Sequence, residues 1–295
     1  MIKFSFLEIG IISLLMLSCS GGDGAKMEAS LQKERPNLAS ATTPQEDTSP
    51  PQISEDLIEF DTTVSKAQRK RIMEKVSKEY LMGQFDPWRD NRFAEIPYPY
   101  AEKTNMYMRK EALEQFKLMA QAAKADGITL VIKSATRPFE AQKSIWEAKW
   151  TGKRKVDGKF LDSEVKNPKA RALKILRWSS MPSTSRHHWG TDIDINSFDP
   201  AYFDRSPGKE EYGWLLENAP NYGFCQVYSK MGKERPFGYQ EEKWHWSYLP
   251  ISQNLTQIYS EQIRDEDISG FLGSETATSI EIVRKYVLGI HPSCK

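Results

Sequence analysis

The sequence predicts an α+β domain, a small antiparallel sheet flanked by helices. Three observations carry that expectation. Helical and strand-like stretches are mixed and joined by hairpin-type links, which suits α+β better than a doubly wound parallel sheet. "ITLVIKSATR" is an apolar run of strand length ending at a turn, directly after an amphipathic helix. "EKWHWSYL" alternates Trp244, Trp246 and Tyr248 with His245 and Ser247, the period-two pattern of a strand.

The elements follow in order. "TTVSKAQRKRIMEKVSKEYLMG" sets Val64, Ile72, Val76, Tyr80 and Leu81 near one helical face, with Gly83 as its stop. "RKEALEQFKLMAQAAKADG" is a second amphipathic helix, with Leu113, Phe116, Met119, Ala120 and Ala123 inward and Gly127 ending it. After the strand around Val131, Pro138 opens a helix that runs to Gly152. "KVDGKF" carries the Asp-Gly signal of a tight turn, and "NPKARALKILRWSSM" is a short basic helix. "EYGWLLENAPNYGFCQVY" reads as helix then strand, and "ISQNLTQIYSEQI" and "SIEIVRKYVLGI" as closing helices. No internal repeat is visible.

The N-terminal part is of another kind. Residues 1–19 hold one early lysine and a short apolar stretch, interrupted by Glu8, that ends in "LMLSC". The stretch is shorter than the ~20 apolar residues a membrane-spanning helix needs and suits a secretory signal. Its ending resembles a bacterial lipobox, which implies a lipid on Cys19 and a membrane-anchored, exported lipoprotein of the cell envelope. Residues 20–61 are rich in Ser, Thr, Pro and Gly without apolar period, as in a flexible tether. The expected organisation is signal peptide 1–19, tether 20–61, folded domain 62–260 and C-terminal helical extension 261–295. Cys225 and Cys294 then remain. In an oxidising compartment they either form a disulfide or stay as two thiols.

Charge narrows the function. With 41 Lys and Arg against 40 Asp and Glu the net charge is +1, and no long basic run exists, which argues against nucleic acid as a partner. Three of the four histidines lie in two short segments, each with acids nearby. "SRHHWGTDIDIN" holds His187 and His188 with Asp192 and Asp194; "EEKWH" holds His245 with Glu241 and Glu242. A catalytic zinc site typically takes three N or O ligands and leaves a position for water, with a further carboxylate as base. Read alone, the residues leave open which histidine and which aspartate of the first segment would be ligands.

Those segments resemble a known family. "SRHHWGTDID" is similar to the S-x-H-x-x-G-x-A-x-D motif of VanY-type zinc D,D-carboxypeptidases, whose fold is shared with hedgehog-type zinc peptidases. "EKWH" is similar to their E-x-W-H motif, and "SATRPFEAQ" to a segment that precedes the first ligand. The resemblance covers about residues 80–250. It implies Zn2+ on His187, Asp194 and His245, Glu242 as base, and Arg137 against the scissile carbonyl oxygen. Ser134, Gln142 and Ser185 take substrate-binding positions. Asp192 stands where the family has Ala, and is either a partner behind the ligands or a contact for substrate. The implied reaction is removal of the terminal D-alanine from peptidoglycan stem peptides. L,D-carboxypeptidases and murein endopeptidases of the same fold are alternatives, as is a non-enzymatic cell-wall-binding lipoprotein, against which Glu242 speaks. The sequence does not fix the oligomeric state.

Overall fold

The computed structural model describes residues 76–295. The signal, Cys19, the tether and most of the first expected helix lie outside the described residues. Helix α1 (Lys78–Leu81) leads to a two-stranded hairpin of β1 (Phe93–Glu95) and β2 (Tyr107–Arg109), and directly to α2 (Lys110–Ala125). Then come β3 (Ile132–Ser134), α3 (Phe139–Trp150), α4 (Leu161–Glu164) and α5 (Pro168–Ile175). A 3-10 turn at Arg186–Trp189 precedes β4 (Asp192–Ile195). The chain continues through α6 (Gly208–Asn218), β5 (Phe224–Gln226), β6 (His245–Tyr248) and α7 (Leu249–Gln262) to α8 (Ala277–Ile280).

The main sheet has the order β3-β4-β6-β5, every neighbour antiparallel. Its central pair sets Asp192 opposite Ser247, Ile193 opposite Trp246 and Asp194 opposite His245. Period two therefore puts Asp192, Asp194, His245 and Ser247 on one face and Ile193, Ile195 and Trp246 on the other. The apolar face packs on α2, where Leu113, Phe116, Met119, Ala120 and Ala123 are buried as their helical spacing predicts.

A second hydrophobic cluster holds the helices together. Trp146 and Trp150 of α3 stack with ring centroids 6.1 Å apart, and Phe271 meets Trp146 edge-on at 6.0 Å. The Trp146 indole donates to the Leu272 carbonyl at 2.8 Å. Ile263, Ile268, Ile280, Ile282 and Ile290 join Leu255, Ile258 and Tyr259 of α7 in this cluster. The segment after residue 260, expected as an extension, thus completes the same core. Its closing helix is broken: Glu281 takes φ +58° after α8, and a wider helical turn follows at Val283–Val287.

Local chemistry accounts for the links. Asp157 and Gly158 both have positive φ, as a tight hairpin turn with Asp-Gly at its centre requires. Asn167 caps α5 by accepting from the Ala170 amide at 2.9 Å, with Pro168 in the first turn. Gly190, at φ +75°, swings the chain from the 3-10 turn into β4; a Cβ there would fall 2.2 Å from Phe93 Cε1.

Cys225 of β5 and Cys294 form a disulfide, with Cα atoms 5.9 Å apart. It closes a sequence separation of 69 residues. Removing a cross-link of this reach costs about 2–4 kcal/mol. The double variant Cys225→Ser/Cys294→Ser should melt roughly 5–15 °C lower in a calorimetric scan.

Candidate metal centre

The centre is built where β4 and β6 pair. Glu242 lies outside β6: the His245 amide donates to the Glu242 carbonyl at 3.2 Å, closing a turn before the strand begins. A straight strand would send residues 242 and 245 to opposite faces; the turn returns both side chains to one point. The 3-10 turn at Arg186–Trp189 brings His187 in from the other side.

His187, Asp194 and His245 each offer one ligand atom within 4.8 Å of the others, and all three are buried. His187 Nε2 is 3.2 Å from Asp194 Oδ2, and His245 Nδ1 is 3.2 Å from both Asp194 Oδ1 and Glu242 Oε2. The outer ring nitrogens fix the tautomers. His187 Nδ1 donates to the Ala135 carbonyl at 2.8 Å, and His245 Nε2 donates to Asp192 Oδ2 at 2.9 Å. The inner nitrogen of His187 is then a lone pair facing Asp194, while that of His245 faces the carboxylates of Asp194 and Glu242 and becomes a lone pair once a metal takes the place of its proton.

Acceptors do not converge in a buried place without a cation between them. Consistent with this, His187 Nε2 and Asp194 Oδ1 lack any hydrogen-bond partner. Ligands about 2.0–2.1 Å from a tetrahedral zinc lie roughly 3.3 Å from each other, close to these spacings. A donor set of two imidazoles and one carboxylate fits zinc.

The electrostatics agree. Burial, then the Arg137 guanidinium, lowers the His187 pKa and keeps its lone pair free. Burial would raise Asp194, but His187 and then His245 hold it far below the carboxylate range. Burial would lower His245, yet the carboxylates of Asp192, Asp194 and Glu242 gathered around its ring raise it well above the ordinary histidine value. A metal would displace that proton, as ligation of histidine requires. Glu242 is pushed up, chiefly by burial, against the pull of His245.

Asp192 sits behind His245, fully buried. Its Oδ2 also accepts from Arg186 Nε at 3.0 Å, and its Oδ1 accepts from Thr191 Oγ1 at 2.8 Å and Ser247 Oγ at 2.6 Å. Arg186 spends its other nitrogens on Thr256 at 2.7 Å and Ser247 at 3.0 Å. Sequence reasoning missed Arg186, since nothing local marks an arginine as inward-facing. Against burial, Arg186 and then His245 hold the Asp192 carboxyl well below its usual range.

A cavity of about 660 Å³ opens over the centre, lined by Ser134, Arg137, Ser185, His187, Asp194, Glu242 and His245 among others. Ser185 Oγ and Arg137 Nε are buried without partners. Two expected substrate contacts do not line it. Asp192 is walled off by His245, and Gln142, buried on α3, instead donates to the Ser180 carbonyl at 2.8 Å from behind the wall. His188 points away from the trio: its Nδ1 donates to the Arg137 carbonyl at 2.5 Å, and its ring presses on Gly83. Burial drops its pKa to about 3. Trp244 is buried beside Trp178 and Phe203, with centroids 6.0 and 6.2 Å away.

Two histidines and a carboxylate around one point, with a further buried acid beside them, define a metal site of the hydrolytic type. Residues 105–251 match the VanY family model, described as D-alanyl-D-alanine carboxypeptidase, and the chain belongs to this family. A D-alanyl-D-alanine carboxypeptidase of Enterococcus faecalis is 33% identical over 138 residues, 47% of this chain and 46% of that protein. YodJ of Bacillus subtilis is 30% identical over 188 residues, 61% of this chain and 60% of that protein. The chain therefore spans about half to three fifths of these relatives. Among solved structures, the D,D-pentapeptidase VanY crystallised with Zn(II) is 25% identical, with 61% of this chain and 92% of that one covered at a TM-score of 0.40.

Two substitutions test the geometry. His187→Ala should abolish stoichiometric zinc binding measured by atomic emission, while His188→Ala keeps most of it. Asp192→Asn, which removes the charge that orients His245, should weaken zinc affinity about 10- to 100-fold in a chelator competition.

Proposed function

We propose that the chain is a zinc-dependent carboxypeptidase that trims the terminal D-alanine from peptidoglycan stem peptides. The observation that carries this is Glu242, a buried carboxylate 3.2 Å from His245 at the edge of the ligand trio and open to the same cavity as Arg137. A metal-binding structural site would have no use for such a base. The family description and the name of the Enterococcus faecalis relative support D,D-specificity.

His187, Asp194 and His245 would hold the metal. When bound, zinc supplies Lewis acidity toward the scissile carbonyl and acidifies the attacking water. Glu242 takes the proton of that water on its carboxylate and delivers it to the leaving amine. Burial raises the pKa of Glu242 and so suits it to both halves of the transfer. Arg137, its Nε buried and without partner, directs its guanidinium at the oxygen that gains charge. Ser134 and Ser185 line the approach and orient the peptide.

Export with a lipid on Cys19 belongs to the same proposal, since it would hold the domain at the cell wall. The Cys225–Cys294 disulfide supports an oxidising compartment.

Incubation of the purified protein with pentapeptide and tetrapeptide muropeptides, followed by mass spectrometry, tests the reading. Loss of one alanine from the pentapeptide alone is expected. Glu242→Gln should lower kcat about 10²- to 10⁴-fold with zinc content retained. Trimming of the tetrapeptide alone would reassign the enzyme to L,D cleavage, and zinc binding without any cleavage would make it a binder.

A further inference from the structure

The wall of the cavity carries more positive charge than its chemistry uses. Its carboxylates are Asp194 of the ligand trio, Glu242 beside it, and Asp157, which accepts from Arg177 at 2.5 Å. Arg186 is neutralised by Asp192, and Lys133 by Glu102. Arg137, Lys149 and Arg154 also line the cavity, and no ion pair among the described residues involves any of them.

Lys149 is the unusual member. It stands in the last turn of α3, partly buried, and its ammonium is held by the hydroxyl of Ser179, another wall residue. A hydroxyl fixes direction but supplies no counter-charge. Burial, followed by repulsion from Arg154 and Arg137 and against the pull of Glu242 and Asp157, brings the lysine down to about 8. An aliphatic chain of this length could reach open solvent next to the exposed Arg154. Its ammonium is instead tethered inward, between Arg154 and Arg137 that repel it and Glu242 and Asp157 that attract it without forming an ion pair, so it has no contacting counter-charge.

We propose that Lys149, oriented by Ser179 and assisted from the rim by Arg154, is the binding site for the C-terminal carboxylate of the scissile peptide. The inference rests on the carboxypeptidase reading and deepens it, because it names what makes the enzyme cut only at a free C-terminus. Arg137 stays with the carbonyl oxygen, and Lys149 takes the carboxylate one residue beyond. An internal peptide bond offers no charge at that point, so it leaves the ammonium desolvated and unpaired.

The test compares full-length wild type and Lys149→Met on a pentapeptide stem with a free C-terminus and on its C-terminal amide. A third peptide keeps the free C-terminus but has its side-chain carboxylates amidated. Wild type should favour the free acid over the amide about 10- to 100-fold, mainly in KM. Lys149→Met should collapse that preference by raising KM for the acid, with the amide and zinc content nearly unchanged. Lys149→Arg should restore it, and Arg154→Ala, at an exposed position, should weaken it in part. A preference that survives Lys149→Met, or an equal loss on acid and amide, would overturn the assignment. So would a Lys149 effect that follows side-chain amidation instead of the terminus. Should wild type cleave none of the stems, the carboxypeptidase reading falls. Calorimetric binding of D-alanyl-D-alanine and its amide to the zinc-loaded protein then decides the Lys149 site alone.

Discussion

The carboxylate of Asp192 is the constraint on which the site depends. It receives four hydrogen bonds, from Arg186, Thr191, Ser247 and His245, without access to water. Burying a carboxylate and a guanidinium together is costly unless every lone pair and proton is used. Here each Asp192 oxygen has two donors, and Arg186 also bonds Thr256 and Ser247 while lying over the Trp189 ring at 4.6 Å. The result is a rigid backing to His245 that dictates which ring nitrogen is free. A histidine held this way presents its lone pair in one direction only.

The sheet explains how so much polarity came to be interior. Alternation along β4 and β6 ordinarily marks one wet face. In this protein both faces are covered: α2 packs on the isoleucines and Trp246, while the other face lies under the 3-10 turn that carries His187. The polar face is shut off from bulk water except at the cavity over the ligand trio, and its groups therefore act on one another at short range with little screening. That is why the same four or five side chains shift each other's proton affinities so far.

The fold was legible where periodicity was long. The α2 pattern named its buried residues, and the Trp-His alternation named β6. Pattern reading failed at the closing helix, where the left-handed Glu281 breaks a run whose apolar spacing is unbroken. At the site, residue types alone left His187 and His188 equivalent. Only the register of a family motif separated them, and the structure puts the second ring against Gly83 with its nitrogen on a backbone carbonyl. The resemblance puts Gln142 at a substrate-binding position and leaves Asp192 as either a partner behind the ligands or a substrate contact, because a motif position reports proximity to the site and not which side of the wall a side chain occupies. The partner that settles Asp192 is Arg186, and that pairing exists only once β4 has turned back at Gly190.

The pairing of β4 with β6 also sets an order of events. Asp192 and His245 are 53 residues apart in the chain, and His187 is 52 residues from the Ala135 carbonyl that orients it. Contacts of that separation form late, after the loop-closure entropy between them has been overcome. In small zinc modules the ligands are near neighbours in sequence, and the ion itself drives the chain to fold. Here His187 and Asp194 are near neighbours in sequence but His245 lies far along the chain, so no one stretch of it holds the whole ligand set. The third ligand joins the other two only through the pairing of β4 with β6, which makes the centre a product of the sheet and not of a local loop.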